Sequence, residues 1–571
     1  MKHLLLLISL LTASTCLAAD LLNPKPEAVE AWKDMRFGMF ICWGPVTLTG
    51  KEIGWSRGNP TAIEEYDQLY KKWNPDKFDA REWAKVVKDT GCKYVVFLTK
   101  HHDGFCLWNT KQTDYNIMNG PFKRDITKEL AIACREQGIG FFPYYSTCDW
   151  YHPDFPVTSP GGKVQRPTSN LDRYTDYLEA QVKELITGCG PLVGIWFDVP
   201  QRFDRARGER VIRYVRSLQP NILVNNRTGA PGDFDTPEQH VGRFQNTRPW
   251  ESCITLGTQW TWKPDDKLKS YTEAVRMLVV CATGDGNLAL NTNPMPDGQI
   301  EPRQVESFRK IGVWLGKYGE SIYGTRGGPF VAPDWKKRSF NTDRDHFALP
   351  AGAWWGGTTH KGNAIYLHIL RWPSDTITLP AIKPRIVKHT VLTGGKATVK
   401  QTDTGIEVRV PADKRDATDT IVKLELDSPA KDIPVIMPTN TLVKSLTTGK
   451  KATASNAYSN YGPEKAVDGD RETRWGCDWG THSCWLEVDL GAPQTFDRAT
   501  ISEPYGRVKE FELQVWQDGA WKTFHRGTTI GDDLNIKFPP VTGQRVRLNL
   551  LKTTAGPSIW EFQLFAPAIT K

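Results

Sequence analysis

At 571 residues the chain is too long for one hydrophobic core and is expected to divide into roughly two to four domains. Apolar residues at 39% and charged residues at 24% are ordinary for a globular protein. The net charge of +8 is spread along the chain with no Lys/Arg block, which argues for solubility and against a nucleic-acid partner.

The first residues read as an export signal. Lys2 and His3 form a polar n-region, Leu4–Leu11 an apolar h-region, and Cys16-Leu17-Ala18 a small-x-small cleavage site closing segment 1–18. Acylation at Cys16 is the alternative, and both readings place the protein in the periplasm or outside the cell. No later run reaches the roughly 18 apolar residues of a membrane span. Ten cysteines lie beyond Cys16. Cys92, Cys106, Cys134 and Cys281 fall in apolar surroundings that suit buried free thiols, whereas Cys477 and Cys484 form a plausible local pair. No cysteine or histidine spacing suits zinc. The 22 tryptophans fit either large cores or flat faces for stacking on sugars.

From about residue 30 to 325, short β-branched or aromatic runs alternate with amphipathic stretches. Strands are expected at 36–43, 93–100, 138–146, 192–199 and 222–227, with helices at 80–90, 126–137, 169–187 and 205–218. That alternation predicts a parallel sheet closed by helices, a (β/α)8-like (TIM) barrel over 19–326. An open doubly wound sheet competes, but no Gly-rich phosphate loop follows the first strand. Beyond Gly327 the helices stop. Strands at 364–370, 376–379, 406–410 and 419–426 predict an antiparallel β-sandwich over 327–428. A Pro-rich stretch suits a linker at 429–440, and a second all-β block fills 441–571.

The barrel strands end in groups that carry chemistry. Cys42 and Trp43 close the first, His101-His102-Asp103 follow the second, and Tyr144-Tyr145 close the third. Trp196-Phe197-Asp198 end the fourth, and Asn225-Asn226-Arg227 follow the fifth. Strand C-termini and their loops converge on one rim of a barrel. Asp198 follows an apolar run and precedes Val199-Pro200, so its carboxylate must pair with a cation or do chemistry. Further carboxylates reach the same rim after Arg227, at Asp233, Asp235 and Glu238. Two carboxyl groups, one an acid and one a nucleophile or base, are what glycosidic bond cleavage requires.

At these residues the chain resembles glycoside hydrolase family 29, the α-L-fucosidases. The matching stretches are Arg36-Phe37-Gly38-Met39-Phe40-Ile41-Cys42-Trp43-Gly44, Lys100-His101-His102-Asp103-Gly104-Phe105, Trp196-Phe197-Asp198, Asn226-Arg227, Trp250-Glu251 and Asn287-Leu288-Ala289-Leu290-Asn291. The resemblance implies a barrel followed by a β-sandwich, and retaining hydrolysis of terminal α-L-fucose through a covalent glycosyl-enzyme. It implies Asp198 as nucleophile and Glu238 as acid/base, with Glu251 as the rival acid/base. It places Cys42, Trp55, His101, His102, Tyr145, Trp196, Arg227 and Trp260 around the sugar, and no cofactor in catalysis. One departure stands out: the family's first strand normally reads Ile-His-Trp-Gly, and here the histidine position is Cys42. A thiol is a weak donor and acceptor, so either Glu52 or Arg57 makes that contact or the sugar differs, as L-galactose does. A lectin descended from the enzyme is a further alternative, against which the presence of both acids counts.

The C-terminal block resembles the discoidin-type β-sandwich of carbohydrate-binding module family 32. The carriers are Ala452-Thr453-Ala454-Ser455, Ala466-Val467-Asp468-Gly469-Asp470, Thr473-Arg474-Trp475, Trp485-Leu486-Glu487-Val488-Asp489-Leu490-Gly491 and Ile559-Trp560-Glu561-Phe562. The resemblance implies a structural Ca2+ held by Asp468, Asp470, Thr473 and Glu561 with backbone carbonyls. Position and residue type offer Trp479, His482 or Arg507 as sugar contacts.

Overall fold

The computed structural model describes residues 21–160, 166–332, 340–341, 347, 354–436, 445–470, 473–531 and 534–567. The expected signal segment 1–18 lies outside them. No helix among them is long and apolar enough to cross a membrane.

Helix α1 (Pro26–Met35) leads into β1 (Phe37–Ile41). There follow α2 (Ala80–Asp89), β2 (Tyr94–Lys100), α3 (Ile126–Glu136), β3 (Gly140–Ser146), α4 (Leu171–Gly188), β4 (Gly194–Asp198), α5 (Arg205–Leu218) and β5 (Leu223–Val224). The series continues with β6 (Glu251–Thr255), α6 (Tyr271–Thr283), β7 (Asn287–Thr292) and α7 (Pro302–Tyr318). Polar side chains cap these helices where the sequence supplies them: Asp79 accepts from Arg81 N and Glu82 N, and Ser270 forms a capping box with Glu273.

The strands pair in the order β5-β4-β3-β2-β1-β7-β6, all parallel. The gap between β5 and β6 is spanned by segment 233–239, which is not a regular strand. Asp233 N donates to Val224 O and Asn226 N to Phe234 O on one side; Asp235 N donates to Pro249 O and Cys253 N to Pro237 O on the other. Pro237 has no N–H, and Gln239 adopts φ 55°, so this eighth stave can only ladder irregularly. The expected (β/α)8-like barrel is thus present, with one irregular stave.

Strands buried on both faces send alternate side chains inward. The lumen is filled by Phe40, Tyr94, Val96, Leu98, Phe142, Tyr144, Trp196, Leu223 and Phe234. Large rings fit because small residues face them. A Cβ on Gly38 would sit 2.3 Å from the Tyr94 ring, and one on Gly194 2.1 Å from Phe142. At the base, the buried Arg36 Nη2 donates to Asp285 Oδ1 and to Thr325 O at 2.6 Å, and Nη1 to Gly286 O at 3.0 Å.

Described residues between 326 and 426 form two antiparallel sheets. The larger runs Ile386–Val391, Thr420–Leu426, Ala364–Ile369, Gly356–Lys361, Arg326–Gly327; the smaller runs Ile377–Pro380, Gly405–Arg409, Thr398–Thr402. Of the expected linker 429–440, residues 429–436 pack back on this sandwich: Ala430 N donates to Gly362 O and Ile436 N to Pro329 O. Residues 437–440 lie outside the described residues.

The C-terminal unit is a separate sandwich built on two long strands, Cys484–Ser502 and Leu534–Thr553, with Val508–Gln517 and Ala520–Gly527 completing one side. Lys451–Ala454 and Glu561–Phe565 pair with the first long strand. Trp475, Leu486, Val488, Phe511, Leu548 and Phe562 are in its core. Here the Cys477 and Cys484 sulfurs lie 3.4 Å apart, both buried. Of the tryptophans, Trp32, Trp43, Trp73, Trp150, Trp196 and Trp475 are fully buried, whereas Trp55 and Trp479 are exposed.

Candidate active site

The strand alternation that plugs the lumen also builds a pocket at its C-terminal rim. Trp196 points inward, so Asp198, two residues on, does as well. The pocket is lined by Cys42, His101, His102, Tyr144, Trp196, Asp198, Arg227, Glu238 and Cys253, with Trp55 and Trp260 at its mouth.

Asp198 Oδ2 accepts from the Tyr144 hydroxyl at 2.6 Å. Oδ1 accepts from Arg227 Nη1 at 2.8 Å and from Val199 N at 2.8 Å. Burial alone would raise its pKa, but Arg227, His102 and Tyr144 together hold it below the ordinary carboxylate value. Arg227 Nη1 also donates to Glu238 Oε2 at 2.9 Å. One nitrogen therefore bridges both carboxylates, and their facing oxygens lie no farther apart than two hydrogen bonds end to end. Arg227 is itself fixed, with Nε on Thr236 Oγ1 at 2.8 Å and Nη2 on Thr236 O at 2.9 Å.

His102 Nδ1 lies 2.7 Å from Ser146 Oγ, which donates to Cys148 O at 2.7 Å. Nδ1 therefore carries the proton, and the Nε2 lone pair faces the pocket, 3.8 Å from Asp198 Oδ2. Burial pulls His102 down to about 4 and holds His101 well below its usual value, so both rings are neutral acceptors at neutral pH. His101 stacks on Tyr144 at 5.8 Å and 10°. Trp55 meets His102 edge-on at 5.4 Å. Trp260 packs against Phe40 at 5.4 Å, and its backbone N donates to Glu52 Oε2 at 2.9 Å.

Three expectations need correction. Tyr145 is not in the pocket: it alternates outward and is fully buried, accepting from Lys100 Nζ at 2.9 Å and donating to Gln181 Oε1 at 2.8 Å. Its neighbour Tyr144 takes the place beside Asp198. Glu251 is absent from the pocket lining and lies below the floor, where Oε1 accepts from Trp196 Nε1 at 2.9 Å and Oε2 from the Tyr94 hydroxyl. It opens β6, and the opening residue of a barrel strand stands at the end opposite the rim. Arg57 is absent from the pocket lining and is clamped to both Asp67 oxygens at 2.6 and 2.7 Å and to Thr158 O. Cys253 is a lining residue that sequence reading missed.

Glu251 carries a measurable signature. Burial raises its pKa from 4.5 to about 7 against the hydrogen bonds of Tyr94 and Trp196. Between those values the folded protein binds more protons than the unfolded chain, so stability falls as pH rises. This one group costs on the order of 3 kcal/mol by pH 7. Glu251→Gln is isosteric and is expected to remove that slope. Urea unfolding of both proteins across pH 4.5–7.5 should give stability curves that diverge toward neutral pH, the variant above.

In the C-terminal unit, Asp468 Oδ2 accepts from Thr473 Oγ1 at 2.6 Å and Oδ1 from Asp470 N at 2.7 Å. Gly469 between them has φ +79°. Glu561 is buried at the start of a strand that packs on the turn Pro463–Ala466 preceding this loop. These are hard oxygen donors of the kind calcium takes. Among the described residues, however, the acidic and His side chains whose ligand atoms converge within 4.8 Å are His101, His102 and Asp198. Backbone carbonyls would therefore have to complete a shell around Asp468 and Glu561. His482 is turned to the backbone, its Nδ1 3.0 Å from Thr553 O.

Comparisons with known proteins agree with this layout. The sequence profile of the family described as Alpha-L-fucosidase matches residues 14–320, and that described as F5/8 type C domain matches residues 451–562. Human plasma alpha-L-fucosidase is 28% identical over 383 residues, covering 61% of this chain and 77% of that protein. The structure of alpha-L-fucosidase isoenzyme 1 from Paenibacillus thiaminolyticus superposes with a TM-score of 0.62 at 31% identity, over 70% of this chain and 99% of that one. An alpha-L-fucosidase from Bacteroides thetaiotaomicron, trapped as a covalent intermediate with 2-fluoro-fucosyl fluoride, gives 0.61 at 26% identity, over 71% and 97%. The chain belongs to the α-L-fucosidase family of glycoside hydrolases.

Proposed function

We propose that the protein is an exported, retaining exo-glycosidase that removes terminal α-L-fucose from glycans. The observation that carries this reading is the pair Asp198 and Glu238 held on one guanidinium nitrogen at the mouth of a one-sugar pocket. Asp198 is ionised and aimed along the pocket floor, suited to attack the anomeric carbon and form a fucosyl ester. Glu238, its side chain 41% exposed at the mouth, stands where the aglycone oxygen leaves. There it donates a proton, and afterwards takes one from the attacking water. His102 Nε2, His101 and Arg227 are the polar partners for sugar hydroxyls, and Trp55 and Trp260 the faces for its apolar side. Hydrolysis of aryl α-L-fucoside with retained configuration, followed by NMR, tests the reading; an inverted product overturns it.

Cys42 favours one second reading, a fucose-like sugar such as α-L-galactose. Burial pushes its thiol pKa well up, so it presents a small, neutral, weakly polar wall. Losing a good hydrogen bond to a sugar hydroxyl costs ~1–2 kcal/mol, roughly 5- to 30-fold in kcat/KM. Aryl α-L-fucoside is expected to be the better substrate when the two glycosides are compared. Turnover of the galactoside alone would reassign the sugar and leave the carboxylate roles in place.

A structural calcium in the C-terminal unit is part of the same proposal. Chelation is expected to lower the melting temperature of that unit by several degrees, since an ion at about 100 times its Kd contributes ~2.7 kcal/mol. Aryl fucoside turnover should not change. Identical melting curves with and without chelator, and for Asp468→Ala, would remove calcium from the proposal.

A further inference from the structure

Beside the one-sugar pocket lies a second cavity, of about 520 Å3, within the roughly 300–1,000 Å3 range of ligand sites. It shares Trp55, Trp260 and Glu238 with that pocket. Its walls come from two loops, one after β1 and one after β6, and side chains lace them together. Thr261 Oγ1 accepts from Ile53 N at 2.9 Å and donates to Glu52 Oε1 at 3.0 Å. Glu52 Oε2 accepts from Trp260 N at 2.9 Å, and Gln259 Nε2 donates to Gly50 O at 3.1 Å. Gly50, at φ +64°, lies so close to Pro264 that a Cβ would stand 2.8 Å from its ring. Loops cross-linked in this way hold the shape of the cavity between them.

The unspent charge on those walls is positive. Lys51 is exposed on the first loop, and among the described residues no carboxylate pairs with it. Lys263, on the second, is loosely tethered, with Nζ 3.7 Å from Asp266 Oδ1 and 3.3 Å from Thr258 Oγ1. The Asp266 carboxylate already accepts from Thr258 N, Thr258 Oγ1 and Lys267 N. Both acids in the lining are committed elsewhere, Glu52 to Ile53 N, Trp260 N and Thr261, and Glu238 to Arg227. The Ser56 hydroxyl, buried at the cavity, has no hydrogen-bond partner, and the exposed ring of Trp55 offers a face for pyranose C–H groups. Because Glu238 lines both cavities, a group bonded to fucose through the oxygen that Glu238 protonates extends into this one. We propose that the cavity receives the leaving group and that Lys51 and Lys263 select an anionic sugar there, one bearing a sulfate ester or a uronate carboxylate, a specificity that rests on the fucosidase function proposed above. A neutral sugar would leave both ammonium groups unmatched.

The test measures kcat/KM of the full-length protein on two matched pairs: fucosyl-galactose with and without a sulfate ester on the galactose, and fucosyl-galacturonate with its methyl ester. A charged-to-neutral ratio of about fivefold or more is expected for at least one pair at low salt. Which pair shows it names the anion. The ratio should fall toward one as ionic strength rises from about 0.01 to 1 M, where the Debye length shrinks from roughly 30 to 3 Å. Lys51→Ala with Lys263→Ala should abolish the preference, and Lys51→Glu with Lys263→Glu should reverse it. Each readout is a ratio within one protein, so a general loss of folded or active enzyme cancels. Equal rates on the charged and neutral members of both pairs would overturn the proposal, as would a preference that survives the double alanine variant or high salt. Should the variants not fold, the salt series on the wild type decides alone. Turnover of a neutral aryl α-L-fucoside separates the two readings: with it but without a preference, only the anionic leaving group is lost, and without it the fucosidase function falls as well.

Discussion

Asp198→Ala is expected to lower kcat on aryl α-L-fucoside by about 10^4-fold or more, a loss of roughly 5 kcal/mol of transition-state stabilisation. The size follows from what the carboxylate does. In the proposed mechanism it forms the covalent bond, and it is the group toward which Arg227, His102 and Tyr144 direct their polar atoms. Removing it leaves those groups around an empty site about the size of a small anion. Azide should enter that space and restore turnover, and the fucosyl azide formed should have inverted configuration, because azide attacks from the face the nucleophile occupied. A 2-fluoro-fucoside should add one sugar mass to the wild type at Asp198 and nothing to the variant. Unchanged turnover in Asp198→Ala would end the assignment.

Much of this site was legible because two periodicities carry it. The strand expectations at 93–100 and 192–199 coincide with β2 and β4, since strands buried on both faces read as continuous apolar runs. Rim convergence then follows from barrel topology, which is why Asp198, His102 and Arg227 could be grouped before any coordinates. The errors lie where pattern is silent. Tyr144 and Tyr145 are the same residue type side by side, and only strand register tells which faces the lumen. The eighth stave has no apolar run to announce it, because 233–239 ladders through a proline and a left-handed glutamine. Strands Ile386–Val391 and Thr398–Thr402 were missed because neither is deeply buried on a face, so neither shows a clean hydrophobic alternation. Glu251 was readable in principle: as the opening residue of β6 it belongs to the end of the barrel away from the rim.

That last point makes the acid/base assignment decidable, and Glu238→Ala is the second large expected effect. The loss should depend on the leaving group. With an activated aryl fucoside, departure needs no proton and only the second step suffers. A burst of phenol should then precede a steady rate lowered about 10^2- to 10^3-fold. With an alkyl or sugar aglycone, both steps need the acid, and the loss should approach 10^4-fold, again roughly 5 kcal/mol. Azide should rescue this variant too, but with retained configuration, because it now intercepts the fucosyl ester on Asp198. The two rescues thus report opposite faces of the same carbon. Glu251→Gln should behave otherwise. Its carboxylate is buried below Trp196 with both oxygens engaged, so no path leads from it to the glycosidic oxygen. The expected outcome is a modest change in KM as the Trp196 floor shifts, no burst and no azide rescue. A burst and retained-configuration rescue in Glu251→Gln, with Glu238→Ala near wild type, would transfer the role to Glu251. That outcome would require Trp196 to swing out of the pocket floor during the reaction. The stacking of Trp196 on Tyr144 at 5.5 Å and the Arg227 guanidinium 5.0 Å from its ring oppose such a movement.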